Sequence, residues 1–110
     1  MAQQIVTLAR ATGVQATFGP EGLSARFGKL FKKEIQTGDA LFDEHVHVKT
    51  ETEDATTKLL ESSDVRTVIE RVVSEGGAVA IEDEKVTFEL ADGQQLEQAL
   101  ITALVDAVGR

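Results

Sequence analysis

Cysteine is missing from this 110-residue chain, and tyrosine and tryptophan are missing with it. Without cysteine there is no disulfide framework, no thiolate metal site and no thiol catalysis, and the composition fits a reducing compartment. Without tyrosine or tryptophan, aromatic content falls to five phenylalanines, and the usual base-stacking platforms of nucleic-acid binders are lost. Proline occurs once, at Pro20. No apolar run approaches the ~18 residues that a membrane-spanning helix needs. The opening MAQQIVTLAR has no basic head followed by an apolar stretch, so no secretory signal is expected and the chain reads as cytoplasmic.

What is present suffices for one domain. Hydrophobic residues make up 42% of the chain, enough for a core at a length typical of one folding unit. Residues 1–110 are therefore read as a single domain. The formal charge is −8 and unevenly placed. Residues 1–36 hold five basic and two acidic groups, a balance of +3, whereas residues 37–110 hold six basic and seventeen acidic groups, a balance of −11. Most of the surface would repel a phosphate backbone, and only the neighbourhood of Lys29, Lys32 and Lys33 would attract one. Nucleic acid is not an expected ligand.

Hydrophobic spacing predicts helices alternating with hairpins. Ile5, Leu8 and Ala9 recur at helical intervals, which predicts a short helix over residues 2–11 ending near Gly13. The period then changes to two, with Val14, Ala16 and Phe18 sharing one face and Leu23, Ala25 and Phe27 another. Gly19-Pro20-Glu21-Gly22 between them reads as a turn, giving a β-hairpin over 14–27 with Phe18 opposite Leu23. Residues 28–44 read as irregular, with Asp39 capping a single turn that carries Leu41 and Phe42. His45 to Thr50 reads as a strand with Val46 and Val48 inward. Thr50 and Glu53 have capping-box spacing ahead of a helix over 53–60 that buries Ala55 and Leu59. Ser62 or Ser63 caps a second helix reaching about residue 75, with Val65, Val68, Ile69, Val72 and Val73 along its apolar side. Gly76-Gly77 stops that helix. A second hairpin comes next over 78–90, pairing Ile81 with Val86 and Val79 with Phe88 around a two-residue Asp83-Glu84 turn.

A last helix, 94–108, is capped by Asp92 with Gln95 and is apolar around most of its circumference. Leu96, Leu100, Leu104 and Ala107 form one line, and Ile101, Val105 and Val108 form a second about 100° around the axis. A helix apolar on most sides is usually buried on most sides. The second line is therefore expected to meet a protein partner or a copy of the chain, with a two-fold homodimer as the expected closed form, the alternative being one broad stripe lying in a groove between the sheet and the 63–75 helix. Residues 5–27 and 68–90 also share a helix–glycine–hairpin pattern, the outline of an internal repeat although few residues are identical.

The segment Thr37-Gly38-Asp39-Ala40-Leu41-Phe42-Asp43 resembles a Thr-Gly-Asp-x-x-Phe-Asp signature of uncharacterised bacterial proteins, some with membrane-spanning segments. There the signature is similarly succeeded by a valine-rich strand, a double-leucine helix (here Leu59-Leu60), a Val-Arg helix start (here Val65-Arg66) and a closing hairpin. The resemblance covers residues 35–90 and implies a domain of unknown function; it supplies no activity, ligand or catalytic residue. This chain departs from it in lacking a membrane segment and in carrying histidines on the strand. Taken residue by residue, the segment is architectural. Gly38 permits a turn, Asp39 caps the helical turn after it, Phe42 fills the core, and Asp43 is placed to bond backbone amides of its own loop.

Chemistry has few places to reside. Asp39, Asp43, Glu44, His45 and His47 crowd one loop and strand start, and two histidines at i and i+2 share a strand face as ligands of one metal must. Solvated polar residues on an open strand face account for the same pattern. No metal or other cofactor is therefore assigned, and His45, His47 and Asp43 are the candidates for an alternative reading as a small-ligand or metal-binding protein. Ser24, Ser62, Ser63 and Ser74 each have a strand, cap or turn role, and there is no G-x-S-x-G elbow or glycine-rich phosphate loop. The acidic clusters fall at a hairpin tip and a helix start, where negative charge suits the dipole. The chain does not read as an enzyme. Leu30 and Phe31, set among Lys29, Lys32 and Lys33, read either as core plugs with solvated lysines or as a docking segment with a basic rim.

The expected fold is α+β, a mixed or antiparallel sheet of about five strands, including hairpins 14–27 and 78–90, with about four helices mainly on one face. The expected function is that of a non-catalytic interaction or accessory domain working through protein–protein contact. Its contact residues are Leu30, Phe31, Ile101, Val105 and Val108, and it does not insert directly into a membrane.

Overall fold

Alternating side chains along short β-rich segments build an open sheet whose every pairing is antiparallel. The computed structural model describes residues 2–20, 31, 33–95 and 98–108. Its strands are β1 (Ala2–Thr7), β2 (Gln15–Gly19), β3 (Lys33–Ile35), β4 (His47–Thr50), β5 (Ala78–Glu82) and β6 (Lys85–Leu90), in the order β1-β6-β5-β2-β4-β3. The helices are α1 (Ala40–His45), α2 (Glu53–Leu59), α3 (Ser63–Ser74) and α4 (Gln98–Val108). Among the described residues, no helix is long and apolar enough to cross a membrane.

Register decides which side chains form the core. Phe18 lies opposite Val48 on one side and Val79 on the other, and Val79 lies opposite Phe88. The neighbouring row is Thr50, Ala16, Ile81 and Val86. Strand side chains alternate between faces, so both rows share one face. All eight are buried, in a core with Phe42 of α1, Leu59 of α2, Ile69 and Val72 of α3, and Leu100 and Leu104 of α4. The other face carries Glu34, His47 and Lys49 beside the small side chains of Thr17, Ala78 and Ala80.

Several elements match the pattern that predicts them. The second hairpin pairs Ile81 with Val86, Val79 with Phe88 and Glu82 with Lys85. Asp83 takes the positive φ of 60° at its turn, a conformation that Asp tolerates better than most residues. Its carboxylate accepts from the Gly13 amide at 3.0 Å and its carbonyl from the Thr12 hydroxyl at 2.7 Å, which ties the tip to the loop after β1. α3 begins with Ser62 accepting from the Val65 amide and buries Val65, Val68, Ile69 and Val72. It ends where Gly76 adopts φ 96°, with the Gly76 amide donating to Val73 and the Gly77 amide to Val72, the Schellman arrangement.

Other elements correct the sequence expectation. Residues 2–7 are a strand, not the start of a helix, paired with β6 from Ala2 opposite Leu90 to Thr7 opposite Lys85. An isolated helix this short is marginal in water, so pairing with a distant strand decides the outcome. β2 is flanked by β4 and β5, which leaves no edge of Gln15–Gly19 for a second hairpin arm. Residues 23–27, where that arm is expected, lie outside the described residues. With a strand in place of the first helix and β2 paired elsewhere, the helix–hairpin repeat is not formed. β3 adds an edge strand in the segment expected to be irregular, bringing the sheet to six strands among the described residues.

The start of α2 also departs from the capping box. Thr52 is the N-cap, and Glu53 forms an ion pair with Lys33 at 3.2 Å. Thr50 turns inward, donating to the Gln15 carbonyl at 3.1 Å and lying 2.8 Å from the Thr56 hydroxyl, so these two buried threonines satisfy each other. α4 is described from Gln98. Before it, the Gln94 amide bridges two elements, accepting from the Ala91 N–H at 2.9 Å and donating to the Val72 carbonyl at 2.9 Å.

Candidate functional site

Residues 37–43 close on themselves through one carboxylate. Asp43 Oδ1 accepts from the Thr37 amide at 2.8 Å and its hydroxyl at 2.9 Å, while Oδ2 accepts from the Gly38 amide at 3.0 Å. Gly38 adopts φ 88°, a left-handed conformation that glycine takes without penalty. The Thr37 hydroxyl accepts from the Asp39 amide, and Asp39 caps α1 by accepting from the Phe42 amide at 3.3 Å. Phe42 itself is fully buried. Each polar member of the Thr-Gly-Asp segment is thus used to hold Phe42 in the core.

Removing that carboxylate opens the loop. Asp43→Ala is expected to lower the unfolding free energy by about 1.5 kcal/mol, the lower end for hydrogen bonds to a charged group, because water can reach the Gly38 amide. Urea denaturation measures it, and an unchanged midpoint would mean that the loop is held by other contacts.

Arg66, on the polar side of α3, reaches this loop. Its Nε lies 3.2 Å from Asp39 Oδ2, and its Nη1 donates to the carbonyls of Leu60 at 2.6 Å and Glu61 at 3.2 Å. One guanidinium therefore ties the Thr37–Asp43 loop to the turn between α2 and α3. The Phe42 amide is the main cause lowering the Asp39 pKa from its ordinary value; desolvation opposes it and Arg66 adds to the lowering. Beside Arg66 lies a cavity of about 280 Å³ lined by Ile35, Gln36, Thr37, Thr57, Leu60 and Glu61. Sequence spacing gives no sign of this cavity, and it places Arg66 only at the Val-Arg helix start, on the polar side opposite the valine stripe.

The histidines do not converge. His45 is the last residue of α1, since the Val46 amide still donates to the Phe42 carbonyl. The strand begins at His47, so the expected shared strand face is corrected. His45 Nδ1 lies 3.0 Å from the Leu41 carbonyl oxygen and 3.4 Å from Glu70 Oε1. His47 Nδ1 lies 3.0 Å from Glu34 Oε1, with Lys49 Nζ 3.8 Å from Glu34 Oε2. The His47 contact is the main cause of a lowered Glu34 pKa, opposed by desolvation and assisted by Lys49. Asp43, the third metal candidate, is turned toward its own loop. Among the described residues, no group of three or more such side chains is arranged to hold a metal ion.

The expected contact residues divide. Leu30 lies outside the described residues, as does the side chain of Val108, and Phe31 is half-buried. Ile101 is partly buried against the core, whereas Val105 is 48% exposed on a helix whose Leu100 and Leu104 are fully buried. Val105 also lines an apolar cavity of about 120 Å³ with Leu8, Ala9 and Arg10, the residues just after β1. On the other flank of α4, a groove of about 400 Å³ separates Thr102 and Asp106 from Thr67 and Arg71 of α3.

These features define an α+β domain with a self-bonded Thr-Gly-Asp loop and an incompletely covered last helix. Compared with family models, curated proteins and solved structures, the chain finds no match.

Proposed function

We propose that the chain is a non-catalytic interaction or accessory domain that works through protein–protein contact at the outer side of α4, with a second copy of itself as the first partner. The observation carrying this reading is Val105, exposed beside the cavity formed with Leu8 and Ala9. An apolar side chain next to an apolar recess offers a partner both a knob and a hole, the local anatomy of an interface anchor. Charge favours the same place. Asp106 is the one charged residue of Gln98–Val108, so two acidic copies meet there with little repulsion. The ion pairs Asp39–Arg66 and Lys33–Glu53 and the side-chain contacts His45–Glu70 and Glu34–His47 each join different structural segments, a use in holding the fold. The alternative of a small ligand or metal at Asp43–His47 gains no support from side chains engaged with three separate partners.

Light scattering at tens of micromolar tests the proposal. A dimer mass is expected for the unmodified chain, and Val105→Glu and Ile101→Lys should each shift it toward the monomer. A monomeric unmodified chain, with both variants equally stable, would contradict self-association at α4.

A further inference from the structure

The two edges of the sheet are unequal. β3, at one edge, has three residues, two of them the charged Lys33 and Glu34. Short length and charge are the usual protections of an edge against pairing with another chain. β1, at the other edge, has six residues, and no charged side chain occurs before Arg10. Among the described residues, no strand pairs with its outer side.

Backbone direction is set by the register. The Leu8 amide donates to the Glu84 carbonyl at 2.7 Å, continuing the alignment of Thr7 with Lys85. Hydrogen-bonding groups of successive strand residues point to opposite sides. Val6 and Gln4 therefore bond toward β6, and Gln3, Ile5 and Thr7 direct their N–H and C=O groups outward. The Ile5 side chain, on the sheet face away from the helices, is 56% exposed.

We propose that β1 pairs antiparallel with β1 of a second copy about a two-fold axis at Ile5, continuing the sheet across the dimer. This deepens the reading of the domain as a contact module whose first partner is itself. In this register Ile5 lies opposite Ile5 of the second copy and Gln3 opposite Thr7, so each outward backbone group meets a complementary one. The two Ile5 side chains become neighbours on one face. A chain of net charge −8 associates most readily with itself where its charges are absent, and residues 2–9 are such a stretch. The surface is also continuous with the outer side of α4, because Leu8 and Ala9 line the cavity beside Val105.

Amide exchange by NMR at two protein concentrations, together with the mass of three variants, provides the test. The Gln3, Ile5 and Thr7 amides are expected to exchange about tenfold or more slowly in the concentrated sample, as groups bonded only in the dimer would. Ile5→Pro removes an outward N–H without costing an internal bond, as proline does at an edge, and Ile5→Lys adds a charge to the edge. Both should return the mass to one 11.8 kDa chain while keeping the unfolding midpoint that the unmodified chain shows at concentrations where it is monomeric. A dimer abolished by Val105→Glu yet untouched by both Ile5 variants, with exchange independent of concentration, would overturn edge pairing and leave the α4 surface standing. A dimer lost in the Ile5 variants but kept in Val105→Glu would support edge pairing and refute α4 as the self-contact. A monomer at every concentration would overturn the pairing outright.

Discussion

Phe88→Ala is expected to lower the unfolding free energy by about 3–5 kcal/mol, the range for truncating a buried aromatic ring. Phe88 is fully buried on β6, one of the inner strands. It stands opposite Val79 on one side and Gln4 on the other. Its ring belongs to the core that also holds Phe18, Phe42, Ile69 and Leu104. That core is built from the sheet and the helices together, so no single element can move in to fill the space without dragging others. Phe88→Leu keeps most of the volume and should cost under about 1.5 kcal/mol. Urea denaturation measures both, and a loss below about 1 kcal/mol for the alanine variant would show that the ring is not enclosed.

Gly77→Ala should cost about 2–3 kcal/mol, although it adds only one methyl group. The reason is space, since Gly77 comes after the left-handed Gly76 and is buried between α3 and β6. A Cβ there would lie 2.5 Å from Gln94 Oε1, 3.0 Å from the Glu89 carbonyl oxygen and 3.0 Å from Val72 Cγ1. A free glutamine would swing aside. Gln94 is held at both ends, by the Ala91 amide and the Val72 carbonyl, so moving it sacrifices two hydrogen bonds. The backbone oxygen of Glu89 belongs to the β6 ladder and cannot yield alone. Gln94→Ala in the same chain should therefore recover part of the loss, a coupling that a double-mutant cycle detects. Strict additivity of the two changes would mean that Gln94 is not the obstacle.

The contrast between well-read and misread elements tracks the range of the interactions that fix them. The hairpin 78–90 is local: Glu82 opposite Lys85, the two-residue turn and the inward row of Val79, Ile81, Val86 and Phe88 lie within thirteen residues. α3 is local too, with its Ser62 cap, its valine stripe and its Gly76 stop. β1 is not. Ile5, Leu8 and Ala9 fit a helix as well as a strand, and only β6, some eighty residues later, decides between them. Gly19-Pro20-Glu21-Gly22 has the composition of a hairpin turn, yet β2 finds its neighbours in β4 and β5. β3 has a single half-buried apolar residue, Ile35, too little for a periodic signal.

The same distinction runs through the candidate site. Gly38, Asp39, Phe42 and Asp43 act within one loop, so their architectural roles emerge from spacing and side-chain chemistry. Arg66 meets Asp39 from twenty-seven positions away, and that contact exists only because α3 packs beside α1. His45 differs from its expected place by one element boundary. Continuing α1 through His45 turns the histidine toward Glu70 and away from His47, and the apparent metal pair dissolves. The exposure of Val105 is legible because it lies off the line of Leu100 and Leu104, which are fully buried.

Sedimentation equilibrium of the unmodified chain, from low micromolar to several hundred micromolar, tests the central claim that this domain works by contact with a copy of itself. The weight-average mass should climb from 11.8 kDa toward twice that value and then level off, as a closed two-fold dimer requires. A mass that stays at 11.8 kDa across the whole range would contradict the claim.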